Sequence, residues 1–268
     1  MTGVPAASIR AQVRLPVQLP GGIRTTARVY TFDGLVDGGQ HVALALGDLS
    51  LTDLAGASPR GGVSGPAPLA RLHSECLTGD LFGSRRCDCG PQLQEAVALM
   101  TRVGGVLLYL RQEGRGIGLY AKLDAYLLQD LGLDTYEANV ALGYGPDQRD
   151  YTAAAQMLLA LGLSRVALLS NNPDKADQLT RLGVVVCERV PTGVHVSDSN
   201  VRYLTTKARR GSHTLDLEQL IAEEPAGPGG GRSPTTLPTP PARGAARHTP
   251  GPVRPAPAPA RTPRRPTP

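Results

Sequence analysis

The chain has 268 residues and a formal net charge of +5, enough for one large domain or two small ones. No apolar run reaches membrane-spanning length, and the N-terminal MTGVPAASIRAQVRLP has no basic stretch followed by an apolar one, so a soluble, unsecreted, cytoplasmic chain with reduced thiols is expected. The positive charge belongs to the C-terminus: seven arginines and no acid follow Pro225, and the remainder carries 21 basic against 23 acidic residues, a net −2.

In chain order, residues 1–11 read as a flexible leader. Residues 12–54 read as β-rich, because QVRLPVQLPGG and IRTTARVYTFDGLVDGGQHVALALGDL alternate apolar with polar and β-branched residues between Gly and Asp turns. GASPRGGVSGPA (55–66) reads as a loop, and 67–213 as an α/β core within a domain reaching 222. In that core GVLLYLRQ (105–112) predicts a buried strand. LYAKLDAYLLQDLG (119–132) predicts an amphipathic helix with Leu, Tyr and Leu on one face, and AAAQMLLALG (153–162) another helix. RVALLS (165–170) predicts a strand. NNPDKADQLTRLG (171–183) predicts a helix capped by Asn172, with Pro173 in its first turn and Gly183 at its stop, and VVVCERV (184–190) the next strand. This β–α–β run implies parallel strands and a layered α/β/α fold with a mixed sheet behind the β-rich part. Residues 223–268, rich in Pro and Arg with Leu237 and Val253 as the only large aliphatics, predict a disordered tail. It is either an arginine-bearing arm for RNA and other acidic partners or a solvated extension; the lack of aromatics among the arginines favours the extension.

Three of the four cysteines, Cys76, Cys87 and Cys89, fall within RLHSECLTGDLFGSRRCDCG (71–90). In a reducing compartment such a cluster points to a metal before a disulfide. Three thiolates leave a tetrahedral zinc open to water, as in catalytic sites; a fourth ligand such as His73 would close it, as in structural ones. Cys187 sits far along the chain in a strand read as buried, where a small hydrophobe is the expected role. RQEGRGIGLYAK (111–122) lies between a strand and a helix, so Gly114, Gly116 and Gly118 and the charges of Arg111 and Arg115 suit an anion at a helix N-terminus, though a plain turn fits equally. SNNPDK (170–175) offers Ser170 and Lys175 at a second such turn. In GYGPDQRDYT (143–152), Asp150 reads as a helix cap, while Asp147 and Arg149 read either as a turn-shaping salt bridge or as a base and a phosphate-handling arginine.

RLHSECLTGD, SRRCDCG, LRQEGRGIGL, DTYEAN, GYGPDQRDYT and LLSNNPDK, in that order, resemble GTP cyclohydrolase II, over about residues 12–213. The resemblance implies one zinc on Cys76, Cys87 and Cys89, magnesium with the triphosphate, and a homodimer. It implies hydrolysis of GTP at guanine C8 with loss of formate and pyrophosphate, giving 2,5-diamino-6-ribosylamino-4(3H)-pyrimidinone 5′-phosphate, the opening step of riboflavin synthesis. The implied GTP contacts are Arg71, Leu72, His73, Ser74, Glu75, Gln92, Glu113, Gly114, Arg115, Thr135, Ser170 and Lys175. Asp147 would be the proton acceptor, Arg149 the nucleophile toward the α-phosphate, and Tyr126 a neighbour of the zinc-bound water and the base. Some relatives change the tyrosine and stop at a formamidopyrimidine; Tyr126 favours the full reaction.

The chemistry asks for these residue types. Guanine C8 is a poor electrophile until water is activated, which zinc can do by lowering the water pKa to about 7. A carboxylate such as Glu113 suits the guanine N1–H and 2-amino edge. A guanidinium is effectively always protonated in proteins, so Arg149 fits stabilisation of transition-state charge more readily than attack.

Overall fold

The computed structural model describes residues 4–20, 22–49, 66–145, 147–197, 199–200 and 204. The Pro/Arg-rich tail and nearly all of the expected 55–66 loop lie outside these residues. Three antiparallel strands come first: β1 (Ser8–Gln18), β2 (Arg24–Asp33) and β3 (Val42–Leu46). β1 begins inside the stretch read as leader. Four more strands follow in the core: β4 (Leu69–Ser74), β5 (Gly105–Leu110), β6 (Arg165–Leu169) and β7 (Val185–Val190). All seven form one mixed sheet in the order β1-β2-β3-β5-β4-β6-β7, antiparallel as far as the β3–β5 pair and parallel beyond it.

The helices are α1 (Leu77–Asp80), α2 (Cys89–Val103), α3 (Leu119–Asp130), α4 (Thr135–Ala141), α5 (Thr152–Ala160) and α6 (Pro173–Arg181). Asn172 caps α6 through its side chain, with Pro173 opening the helix, as its sequence predicts. Asp134 caps α4 in a reciprocal capping box with Glu137.

The central strands of the sheet are buried on both faces, which is why β5 reads as an unbroken apolar run. Val106, Leu108 and Leu110 pack with Tyr151, Met157 and Leu158 of the α5 region and Leu179 of α6. Leu107 and Leu169 pack with Ala96, Val97 and Met100 of α2 on the other face. The chain runs from β4 to β5 on one side, then crosses back to place β6 on the other side of β4. That reversal opens a crevice at the carboxyl ends of β4 and β6, where ligands bind in α/β sheets.

One expectation of burial is corrected. Cys187 is exposed, because β7 is the edge strand of the sheet and its burial was inferred only from its apolar run. On α3 an apolar stripe of Tyr120, Leu123 and Leu127 faces outward, while the helix buries Ala125. No helix among the described residues is long and apolar enough to cross a membrane.

Candidate active site

The crevice at the reversal forms a cleft partly open to solvent. Its floor comes from the carboxyl ends of β4, β5 and β6. Cys76, Cys87, Cys89, Tyr126 and Arg149 line it, and so does every residue from the implied GTP contacts. Asp147 is not among the lining residues but is paired with Arg149, which is.

The three sulfurs gather where β4 ends. Cys76 follows β4, Cys87 lies in the turn after α1, and Cys89 opens α2, and the three Sγ atoms lie within 4.8 Å of one another. Cys76 and Cys87 are 3.6 Å apart, Sγ to Sγ. That is too long for a disulfide and close to the about 3.8 Å edge of a tetrahedron with zinc–sulfur bonds of about 2.3 Å. Packed so closely, the three thiols cannot all ionise unaided. Hydrogen bonds from Cys87 and Cys89 draw the Cys76 pKa far down, while the hydrogen bond with Cys76 pushes Cys87 up to about 11 and Cys89 well above its ordinary value. A divalent cation would relieve that conflict, so the donor set fits zinc. Among the described residues no fourth His, Cys, Asp or Glu joins the cluster.

The close approach depends on Gly79. A Cβ there would stand 2.8 Å from the Cys87 sulfur and 3.1 Å from that of Cys76. Gly90 meets it from α2, where a Cβ would fall 2.5 Å from the Gly79 carbonyl oxygen.

Behind the sulfurs, Asp80 holds the loop in shape. Its carboxylate accepts the Cys76 backbone N–H at 3.0 Å, the Tyr109 hydroxyl at 2.9 Å and the His73 Nε2–H at 3.0 Å. Burial lowers the His73 pKa, and His73 is not part of the sulfur grouping. Like Asp80, Glu113 is committed. Oε2 accepts the Leu77 N–H at 2.7 Å, and Oε1 accepts the Gly114 N–H at 3.0 Å and the Lys122 ammonium at 2.8 Å. The carboxylate suggested for reading guanine thus spends three of about four lone-pair sites on the scaffold.

The remaining predicted contacts converge on the cleft. Arg71 donates to the Leu169 carbonyl at 3.2 Å and to Gln92 Oε1 at 2.9 Å, and Gln92 donates to Asp88. Lys175, in the first turn of α6, reaches the Leu72 carbonyl at 2.7 Å across the crevice. Ser170 Oγ accepts the Asn172 N–H at 3.0 Å. Ser74 Oγ accepts from Gln112 at 3.0 Å, Glu75 pairs with Arg111 at 3.3 Å, and Thr135 begins α4. After β5, Glu113–Gly116 forms a 3-10 turn in which Gly114 and Arg115 both take left-handed backbone angles (φ 63° and 62°), an expensive conformation for Arg115. The guanidinium of Arg115 stacks on Tyr136 at 4.6 Å. Asp147 grips Arg149 through its backbone N–H, Nε and Nη2. Asp150 Oδ1 accepts the Thr152 N–H at 2.6 Å in the turn before α5, whose N-cap is Tyr151 and not Asp150. Tyr126 projects from α3 with Arg86 over its ring at 4.9 Å and Thr78 Oγ1 at 3.5 Å from its hydroxyl. Burial raises its pKa, keeping the phenol protonated near neutrality.

Sequence reasoning missed Lys122, Gly79 and His41. Lys122 was signalled by its place four residues before Tyr126 on one helix face. His41 accepts the Arg111 N–H through Nδ1 at 2.9 Å and is held by Asp37 at 2.7 Å, a contact spanning 70 residues that no local pattern announces.

A profile of GTP cyclohydrolase II matches residues 10–191. The chain belongs to the GTP cyclohydrolase II family. A "GTP cyclohydrolase-2" of Vibrio cholerae is 47% identical over 209 residues, covering 77% of this chain and all of the relative. A "GTP cyclohydrolase-2" of Psychromonas ingrahamii is 43% identical over 206 residues, covering 77% and 97%. A "Riboflavin biosynthesis protein RibBA" of Bacillus velezensis is 50% identical over 191 residues, covering 71% of this chain and 45% of that protein. As a GTP cyclohydrolase II family member the chain is a hydrolase, and the matched region contains every site residue named above.

Proposed function

We propose that the protein hydrolyses GTP in this cleft, opening the imidazole ring at C8 and releasing formate and pyrophosphate to give 2,5-diamino-6-ribosylamino-4(3H)-pyrimidinone 5′-phosphate. The observation that carries the reading is three sulfurs at zinc-binding spacing in the wall of a cleft that also presents Arg71, Arg115, Arg149 and Lys175. Zinc on Cys76, Cys87 and Cys89 would supply the Lewis acidity that water needs to attack a purine carbon.

The chain's own residues do the rest. Tyr126, protonated and beside the sulfur cluster, is suited to pass a proton to ring nitrogen as the C8 bond breaks. The arginines and Lys175, with the N-terminus of α6, neutralise the triphosphate. Magnesium would travel with the phosphates, since the sulfur cluster is the one metal-capable grouping of three His, Cys, Asp or Glu found among the described residues. Arg149 acts as a held cation: its grip on Asp147 suits stabilisation of charge at the α-phosphate rather than loss of a guanidinium proton. The outward stripe of Tyr120, Leu123 and Leu127 supports a homodimer by offering an apolar face to a second subunit, and a reducing cytoplasm would keep the three thiols available.

Mass analysis of products from GTP and the purified full chain tests this. The reading expects the deformylated pyrimidinone monophosphate with equimolar formate and pyrophosphate. A product that keeps the formyl carbon, or unchanged GTP, contradicts it.

A further inference from the structure

The Lys122 side chain leaves the first turn of α3 and ends among three acceptors from two separate segments: Cys76 Sγ at 3.2 Å, Thr78 Oγ1 at 2.9 Å and Glu113 Oε1 at 2.8 Å. An ammonium has three N–H donors, and here each has one protein acceptor. The side chain is 11% exposed and its carboxylate partner 9%, so neither charge is left to solvent. Glu113 carries the link onward, because its other oxygen accepts the Leu77 N–H, next to Cys76 in the chain. Lys122 and Glu113 therefore close a ring joining the ligand loop after β4, helix α1 and the 3-10 turn after β5.

We infer that Lys122 is a positioning residue for the metal: its ammonium orients the Cys76 sulfur and offsets the negative charge of a three-thiolate site. Three thiolates on a divalent cation sum to −1, and burial of that charge is costly unless a cation is paired with it. Lys122 is a cation bonded directly to a ligand sulfur. It ties the Cys76 sulfur to a fixed frame through Thr78 and Glu113, as outer-shell partners do for metal ligands. The inference rests on the zinc reading above.

The test is zinc affinity of the full chain by chelator competition, with the cobalt(II)-substituted protein providing the sulfur-to-metal charge-transfer spectrum. Lys122→Met and Lys122→Gln, which remove the charge, are expected to bind zinc about 10–100-fold more weakly and to shift the cobalt band. Lys122→Arg, which keeps charge and donors, is expected to stay within a few-fold of the parent on both readouts; a merely structural role would not follow charge in this way. Lys122→Gln keeps a donor to Glu113, so it serves where Lys122→Met fails to fold. Parent-like affinity and spectra in both uncharged variants overturn the inference, as does Lys122→Arg binding as weakly as they do. A parent chain that holds no zinc overturns the zinc reading and this inference together, whereas zinc in the parent with unresponsive variants overturns Lys122 alone.

Discussion

The Arg115 carbonyl accepts the backbone N–H of Gln148 at 3.0 Å, so the strained turn after β5 carries the loop that holds Asp147 and Arg149. Gly116 makes the contact close. Its φ is 93°, and a Cβ would lie 3.1 Å from the Gln148 carbonyl oxygen.

Gly116→Ala therefore combines an unfavourable left-handed backbone, about 1–2 kcal/mol, with a push on the Asp147–Arg149 loop. Steady-state kinetics are expected to show kcat reduced by about 10²-fold, the scale of a 1 Å misplacement. Zinc content is expected to be unchanged, because Gly116 does not approach the sulfurs.

Gly79→Ala is expected to do the reverse. Its methyl group would press on the Cys87 and Cys76 sulfurs, and the overpacking costs about 1–3 kcal/mol. Metal analysis after dialysis is expected to find zinc lost, with activity falling in proportion.

The pH dependence follows from Asp147. Burial would raise its pKa, but the hydrogen bonds and charge of Arg149 outweigh burial and hold the carboxyl below its ordinary 3.8. A depressed folded-state pKa means that the ion pair's contribution to stability is present above the unfolded value and lost as pH falls through the folded one. Asp147 is thus ionised throughout the range above about pH 5. Asp147→Asn is expected to lower the whole pH–rate profile without moving its acid limb; a limb that vanished in the variant would show that Asp147 titrates there.

Arg149→Lys keeps a charge and loses the multiple grip on Asp147. Pyrophosphate release is expected to fall by about 10²–10³-fold, the scale of a lost electrostatic stabiliser. An undiminished rate would remove Arg149 from the chemistry.

Tyr126→Phe deletes the protonated phenol beside the sulfur cluster. Turnover to the deformylated product is expected to drop by about 10²-fold or more, with a formyl-bearing product accumulating, as chromatography of the reaction mixture would reveal.

Much of the site was legible because its residues lie in short stretches with local rules. Asn172-Pro173 announces a helix start, three cysteines in fourteen residues announce a metal, and an apolar run such as GVLLYL announces a strand buried on both faces. What the sequence hid is non-local. Strand order was unreadable, and with it the fact that β7 is an edge and Cys187 is exposed. The helix from Cys89 to Val103 was obscured because its first residue also belongs to the cysteine cluster. Glu113 looked like a free carboxylate until the Leu77 amide, the Gly114 amide and Lys122 were brought around it. The outward stripe on α3 obeys helical periodicity perfectly well; periodicity states that a face is apolar, not what covers it.

The central claim is an open three-sulfur metal site facing the nucleotide cleft, and X-ray absorption at the zinc edge of the active full-length protein addresses it most directly. The account predicts one zinc per chain with three sulfur neighbours at about 2.3 Å and one lighter neighbour at about 2.0 Å. Four sulfur neighbours, or full activity in protein that contains no metal, would contradict it.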